Sequence, residues 1–335
     1  LSGDRGTVRS VKPRVLITRE IPIDAVTRLK EHFIVDSNQQ DSPVSPRQLV
    51  QKLRGKDGVV TVSTDTISDA ILAKNPALKI VSNVAVGYNN LDVASATRRG
   101  VMMTNTPGVL DETTADLTWA LILAAARGLA NADRTVRARK WKRWRMMEFL
   151  GQDIHGRTIG ICGFGRIGRR VARRAMGFNM KVLYASRTRA PESVEQEFRA
   201  SYVDKQTLLR ESDIVTLHLP LFPETHHYIG ATELALMKKS AVLVNASRGP
   251  IVDEKALVKA LKARRIAAAG LDVYEHEPAL TPGLAALPNT VLTPHIGSGS
   301  FETRLRMAEM AVTNCIAGLT GQRPPNLLNP EVWKP

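Results

Sequence analysis

Thr158-Ile-Gly-Ile-Cys-Gly-Phe-Gly-Arg-Ile-Gly-Arg-Arg170 reads as strand, glycine turn and helix in immediate succession. Ile159 to Cys162 is a short apolar run suited to a buried strand. Arg169 to Met176 continues as a helix. The glycines between them, Gly163, Gly165 and Gly168, have the spacing that binds a dinucleotide pyrophosphate. The first permits the tight turn and the second lets the backbone approach the phosphates. The third lets helix and strand pack closely, and the helix N-terminus offers N–H groups to an anion. A tight strand-to-helix turn in some other α/β protein would share the pattern. The flanking strand and helix favour the dinucleotide.

Working outward, 335 residues are more than one ordinary domain needs, and 43% hydrophobic content supports real cores. Cys162 and Cys315 are the only cysteines, and the first lies in a predicted buried strand. A disulfide is therefore not expected, and two thiols suit a reducing cytoplasm. No Cys/His cluster has metal-ligand spacing, so no metal is expected. The longest apolar run, Leu117 to Ala126, is too short to span a bilayer. Leu1 to Ser10 is polar, lacks the apolar core of a signal peptide and is expected to be disordered. The net charge of +15 admits nucleic acid, anionic ligands or simply a basic proteome. Its densest cluster, Arg134 to Arg145 with Trp141 and Trp144 interleaved, follows a long apolar segment. It reads as the solvated end of a helix and the loop beyond, not as a nucleic-acid surface.

Before the glycine turn, short β-branched runs at 12–18, 33–36, 58–62, 78–82 and 101–105 alternate with helical patterns at 21–32, 45–53, 66–73 and 92–99. A second alternation follows from 158 to 293, and Phe301 to Leu319 is a last helix placed to return to the first module. The expected fold is α/β: two Rossmann-like or flavodoxin-like parallel-sheet domains with a cleft between them. The expected boundaries are 12–104 plus 299–329 for a discontinuous substrate-binding domain, and 105–298 for a dinucleotide-binding domain. The latter includes one long linking helix over 113–139.

NAD-binding folds place an acid about 20 residues past the glycines to hold the ribose, whereas an Arg there accommodates a 2′-phosphate. No acid occurs from Arg169 to Pro191, and the second strand ends in Ser186-Arg187-Thr188. Arg187 can fork onto a phosphate and the hydroxyls can donate to it, so NADPH is expected over NADH, with NADH the weaker cofactor. Surface arginines on a basic protein would look the same.

Three later loops carry chemistry: Val244-Asn-Ala-Ser-Arg248-Gly-Pro250, Leu271-Asp272-Val-Tyr-Glu-His-Glu277-Pro278 and Thr293-Pro-His295-Ile-Gly297-Ser298. Reduction of a 2-keto acid needs a guanidinium to hold the carboxylate, a protonated His to donate at the oxygen, and a carboxylate to orient that His. Taken singly, Arg248 equally fits a turn cap, Glu277 a surface acid and His295 a satisfied loop histidine.

Together, six stretches make the chain resemble the D-isomer-specific 2-hydroxyacid dehydrogenase family from about Lys12 to Asn329. They are Val84–Asp92, Gly163–Gly168, His218–Thr225, Asn245–Asp253, Gly270–Pro278 and Pro294–Ser298. Within the family it is most similar to the bacterial glyoxylate/hydroxypyruvate reductases, also called 2-ketogluconate reductases. The resemblance implies Arg248, Glu277 and His295 as the catalytic trio. It implies backbone groups of Val86 and Gly87 on the substrate carboxylate, with Ser63 nearby. Cofactor contacts are implied at Arg166, Ile167, Pro220, Thr225, Ala246, Arg248, Asp272, His295 and Gly297. One departure is Asn89, where the family more often has Asp. A homodimer is implied, with Trp141 or Trp144 either packing in its interface or reaching the partner's pocket. The expected activity is NADPH-dependent reduction of glyoxylate and hydroxypyruvate, with 2-ketogluconate as an alternative substrate. A dinucleotide-sensing, corepressor-like binding protein is the alternative of a different class.

Overall fold

The computed structural model describes residues 12–334, so the disorder expected of Leu1 to Ser10 lies outside the described residues. The chain divides into two compact units. One runs up to Leu110 and resumes at Ser300; the other is Asp111–Gly299.

In the first unit β1 (Arg14–Ile17), α1 (Ile23–His32), β2 (Ile34–Ser37), α2 (Pro46–Lys52) and β3 (Gly58–Val62) alternate strictly. The alternation continues through α3 (Asp69–Ala73), β4 (Ile80–Val84), α4 (Val93–Arg98) and β5 (Met102–Thr104). Such an order yields a parallel sheet, and all five strands pair in parallel in the order β2-β1-β3-β4-β5. Ser45 opens α2 by accepting from the Gln48 N–H while the Gln48 side chain accepts from the Ser45 N–H. The helix expected from Thr66 begins only at Asp69. Ile67 is drawn instead into a bridge with Leu91, its N–H donating to the Asn90 carbonyl and its own carbonyl accepting from Asp92.

The second unit opens with α5 (Asp111–Ala126) and α6 (Leu129–Arg137). The single helix expected over 113–139 is thus two. Gly128 sits at φ +61, a left-handed conformation that ends one helix and starts the next. Then come β6 (Thr158–Cys162), α7 (Arg166–Gly177), β7 (Lys181–Ala185), α8 (Glu192–Phe198), β8 (Ala200–Tyr202), α9 (Lys205–Glu211) and β9 (Ile214–Leu217). They are followed by α10 (Ala231–Leu236), β10 (Val242–Asn245), α11 (Glu254–Lys262), β11 (Ala268–Leu271) and β12 (Thr290–Leu292). The sheet is parallel throughout, ordered β12-β11-β10-β9-β6-β7-β8. The direction of travel reverses at β6, the strand that feeds the glycine turn.

α5 is largely apolar and lies on this sheet: a side chain on Gly270 of β11 would come within 3.0 Å of Leu121. The Trp119 indole N–H donates to the Val171 carbonyl at 3.1 Å, and the ring stacks on Phe178. α12 (Phe301–Leu319) belongs to the first unit, where Ala308, Ala311, Val312 and Cys315 join the core of Val15, Ile17, Val60 and Ile80. A side chain on Gly318 would stand 2.5 Å from Ile80, so the helix sits directly on the strands. Both cysteines are free and fully buried, and burial pushes each thiol up to about 12. Among the described residues, no helix is long and apolar enough to cross a membrane.

Candidate active site

The glycine turn connects β6 to α7. Gly163 has φ +95, and a side chain there would lie 2.5 Å from the His218 carbonyl. One on Gly168 would lie 2.2 Å from the Gly163 carbonyl. The protein's own packing therefore demands both glycines. Gly165 differs, because a side chain there would meet no protein atom within 4 Å. Its smallness is not needed by the fold. Open space above that residue, at the N-terminus of α7, is what an approaching phosphate requires.

Past β7, the Ser186 hydroxyl donates to the Thr188 carbonyl at 2.6 Å, which curls the 186–188 segment. Arg187 and Thr188 are exposed. Arg189 forks onto Glu195 with bonds of 2.9 and 2.8 Å, and the buried Tyr184 hydroxyl donates to the same carboxylate. Arg189 is thereby engaged within the protein, whereas Arg187 points to solvent-accessible surface. Beyond β9, the Thr225 hydroxyl accepts from the Phe222 N–H and donates to the Pro220 carbonyl, closing a compact loop.

The adjacent strands β10, β11 and β12 deliver the three chemical loops side by side. The Asn245 side chain, buried at the end of β10, donates to the Arg248 carbonyl and accepts from the Ser247 N–H and hydroxyl, so residues 245–248 are tied by a single amide. Ala246 is buried within that tie. The next residue, Gly249, is where the two loops meet. A side chain there would lie 1.9 Å from the backbone of Tyr274. Arg248 is mostly enclosed. Burial lowers its pKa from the usual guanidinium value, and the charge of Glu277 opposes that shift.

Asp272 is 1% exposed. Its Oδ1 accepts from the Thr293 hydroxyl at 2.7 Å and the Ile296 N–H at 2.8 Å, and its backbone carbonyl accepts from the His295 N–H. Its Oδ2 is buried without a hydrogen-bond partner, and burial raises the carboxyl's pKa. Gly297 faces that oxygen: a side chain there would be 3.3 Å from it. An orphaned buried acceptor beside a glycine fits an amide donor from a bound nicotinamide.

Glu277 bridges the last two loops. Its Oε1 accepts from the Tyr274 N–H at 3.0 Å, and its Oε2 lies 2.8 Å from His295 Nδ1. Burial pushes its pKa up. The bond and charge of His295, the Tyr274 N–H and the charge of Arg248 more than offset this and hold it below the usual carboxylate range. His295 stands at φ +53, unusual for a residue with a side chain, and its N–H is fixed by the carbonyls of Asp272 and Thr293. Nδ1 is thus occupied, and Nε2 is the ring nitrogen left to face a ligand.

Ser63, Val86 and Gly87 belong to the first unit, in the loops after β3 and β4. Sequence reasoning missed the polar residues that hold those loops. Asn90 donates to the carbonyls of Val62 and Asp65, Asn83 reaches the Gly87 carbonyl and Asn90, and Asn105 donates to the Val86 carbonyl at 2.8 Å. The amides pull the backbone carbonyls of Val86 and Gly87 into the protein. A buried polar residue at a strand end is the only signal the sequence offers for them.

Spacing also gave no hint of a metal cluster, yet the fold brings together His226, His227 and Glu275. The loop after β11 carries Glu275 back to a histidine pair 48 residues earlier in the chain.

A model of the D-isomer-specific 2-hydroxyacid dehydrogenase NAD-binding domain matches residues 119–297. The chain belongs to this family. It is similar over its whole course to curated members. A glyoxylate reductase of Korarchaeum cryptofilum is 51% identical over 327 residues, 97% of this chain and 98% of that protein. One of Thermococcus gammatolerans is 49% identical over 97% of this chain and 98% of that protein. Among solved structures, an NADPH-dependent glyoxylate/hydroxypyruvate reductase of Sinorhizobium meliloti, in complex with NADP and malonate, superimposes with a TM-score of 0.87. It is 30% identical and covers 97% of this chain and 99% of its own.

Proposed function

We propose that this protein reduces small 2-keto acids, glyoxylate and hydroxypyruvate foremost, to the 2-hydroxy acids with NADPH. The observation that carries the reading is the pairing of His295 Nδ1 with Glu277 Oε2 at 2.8 Å beside the enclosed Arg248. Similarity to glyoxylate reductases along the whole chain supports the substrate class.

In this reading residues 111–299 hold the dinucleotide and the first unit binds substrate. Gly163, Gly165, Arg166, Ile167 and Gly168 receive the pyrophosphate, and Ser186, Arg187 and Thr188 read the 2′-phosphate. Pro220, Thr225 and Ala246 line the cofactor's course, and Asp272 with Gly297 takes the carboxamide. The cofactor supplies a hydride to the substrate's C2 when bound. In the second unit, Arg248 forks onto the substrate carboxylate and polarises the ketone. In the first, the backbone N–H groups of Val86 and Gly87 and the Ser63 hydroxyl are the proposed substrate donors. His295, its Nδ1 held by Glu277, presents a protonated Nε2 to the ketone oxygen and gives up that proton as the oxygen becomes a hydroxyl. Glu277 fixes the ring and stabilises its cationic form, so the proton is in place before reaction. Free, buried thiols support a reducing, cytoplasmic setting.

We also assign a homodimer to the chain. Trp141, Trp144, Met146, Met147 and Leu150 expose between 51% and 78% of their surface in one short stretch of chain, and a partner subunit covering them would remove these large apolar side chains from water. Light scattering giving the mass of one chain would overturn this.

The deciding experiment follows NADPH oxidation with glyoxylate, hydroxypyruvate, pyruvate and 2-ketogluconate, for the wild type and His295→Gln. Turnover with a small 2-keto acid is expected, along with loss of turnover but retained NADPH binding in the variant. NADPH binding without reduction of any of the four would instead support a corepressor-like sensor.

A further inference from the structure

The group formed by His226, His227 and Glu275 has no part in the reaction above. One ligand atom of each lies within 4.8 Å of the other two. The two histidine rings are 4.0 Å apart, and His227 Nε2 is 2.7 Å from Glu275 Oε1. His226 is exposed, and the side chains of His227 and Glu275 are 37% and 14% exposed, so an ion has access from solvent.

All three donors stand on anchored backbone. The His226 N–H donates to the Phe222 carbonyl within the loop that Thr225 closes. The His227 N–H donates to the Pro250 carbonyl at 2.8 Å, and the residue is held at φ +50, which turns it towards Glu275. Glu275 is clasped from behind. Its N–H donates to Glu254 Oε1 at 2.8 Å, and its Oε2 accepts from the Glu254 N–H at 3.4 Å, Glu254 itself being 2% exposed. Preorganised donors of this kind lose little freedom on binding.

We propose that His226, His227 and Glu275 form a binding site for a divalent transition-metal ion of the zinc class. Two imidazole nitrogens and one carboxylate oxygen are a borderline-soft set that zinc takes readily, with water as the fourth ligand. Calcium or magnesium would want an oxygen cage that this group does not provide. With Zn–N and Zn–O distances of about 2.0–2.2 Å, tetrahedral ligand atoms stand roughly 3.3 Å apart. The His227–Glu275 pair reaches that spacing once its hydrogen bond opens by roughly 0.6 Å, and the exposed His226, whose ligand atom lies within 4.8 Å of the other two, closes in by side-chain rotation. The site is separate from the Glu277–His295 pair, because both Glu277 oxygens are already engaged. A bound ion would tie the loop closed by Thr225 to the turn that leads into Glu277.

The test titrates Zn2+ into tag-free, full-length protein by calorimetry in a non-coordinating buffer, with Co2+ absorption and thermal unfolding in parallel. One site per chain is expected, with the visible band of four-coordinate Co2+ and a metal-dependent rise in Tm. His226→Ala removes an exposed ligand and Glu275→Gln preserves the size of its side chain. Each should weaken binding at least about 10-fold. His276→Ala, at the exposed histidine between Glu275 and Glu277, should leave binding unchanged. No saturable Zn2+ binding, unaltered affinity in both ligand variants, or an equal loss in His276→Ala would overturn the proposal.

Discussion

Gly249→Ala adds one methyl group at the point where the loops carrying Arg248 and Glu277 touch. That carbon would stand 1.9 Å from the Tyr274 carbonyl carbon and oxygen and 2.5 Å from the Glu275 nitrogen, all backbone atoms that cannot rotate away. Regaining ordinary van der Waals separation requires the loops to part by roughly 1.5 Å, well beyond the ~0.5 Å within which catalytic groups must be held. Misplacement on that scale costs about 100-fold in rate, and the overpacking itself costs about 1–3 kcal/mol of stability. The assay is steady-state NADPH oxidation with glyoxylate at saturating cofactor, alongside thermal unfolding of the same preparation. The expected outcome is kcat/KM down about 100-fold with the fold retained and NADPH affinity changed little. Gly177→Ala is the control: it adds the same carbon at the end of α7, where nothing lies within 4 Å, and should leave activity alone. Wild-type kcat/KM in folded Gly249→Ala would show that the close approach does not set the positions of Arg248 and Glu277.

Gly165→Ala should leave Tm unchanged, because no protein atom opposes the new carbon, yet raise the KM for NADPH. Gly168→Ala should lower Tm, and equal Tm values for the two would refute the distinction. Arg187→Asp should move the ratio of kcat/KM from NADPH towards NADH by about 100-fold or more; an unchanged ratio would remove Arg187 from phosphate recognition. Hydrogen bonds from Arg189 and then Tyr184 hold Glu195 down to about 2. Because its pKa is depressed on folding, its contribution is present above the unfolded carboxylate range and lost as pH falls from ~4.5 towards 2. Glu195→Gln should therefore lower Tm at neutral pH, with the gap to wild type closing in acid; a gap independent of pH would sink the assignment.

What the sequence disclosed, it disclosed through periodicity and glycine. Most strands were legible because they are short, largely apolar runs between turn residues, as in Gly58–Val62 and Thr158–Cys162, which is how strands buried in a parallel sheet read. Phe301–Leu319 was legible to its ends, with Ser300 capping the first turn. The break at Gly128 was not, because a glycine inside an apolar helical pattern reads equally as a tolerated residue. α8 and β8 escaped notice because they are short and mostly polar: Phe198 and Ala200 alone are buried in the apolar core, with β8 held by its pairing with β7 and Glu195 by Tyr184. The loops with Arg248, Glu277 and His295, and the pairing of His295 with an orienting carboxylate, could be picked out by residue type and resemblance. The amides of Asn83, Asn90 and Asn105 and the clasp of Glu254 on Glu275 join residues distant in sequence, where pattern carries no information.

The return of α12 to the first unit sets the order in which the molecule can be completed. Ile80 and Gly58 take their covering atoms from Gly318 and Leu319, and the Met103 N–H donates to the side chain of the buried Asn329, more than 200 residues later. During synthesis every strand of the first sheet emerges before the helix that covers it. The whole of the second unit is made in the interval. The unit that begins the chain is therefore the last to close, and its half-built sheet must wait, apolar face uncovered, while its younger neighbour already has all of its own residues.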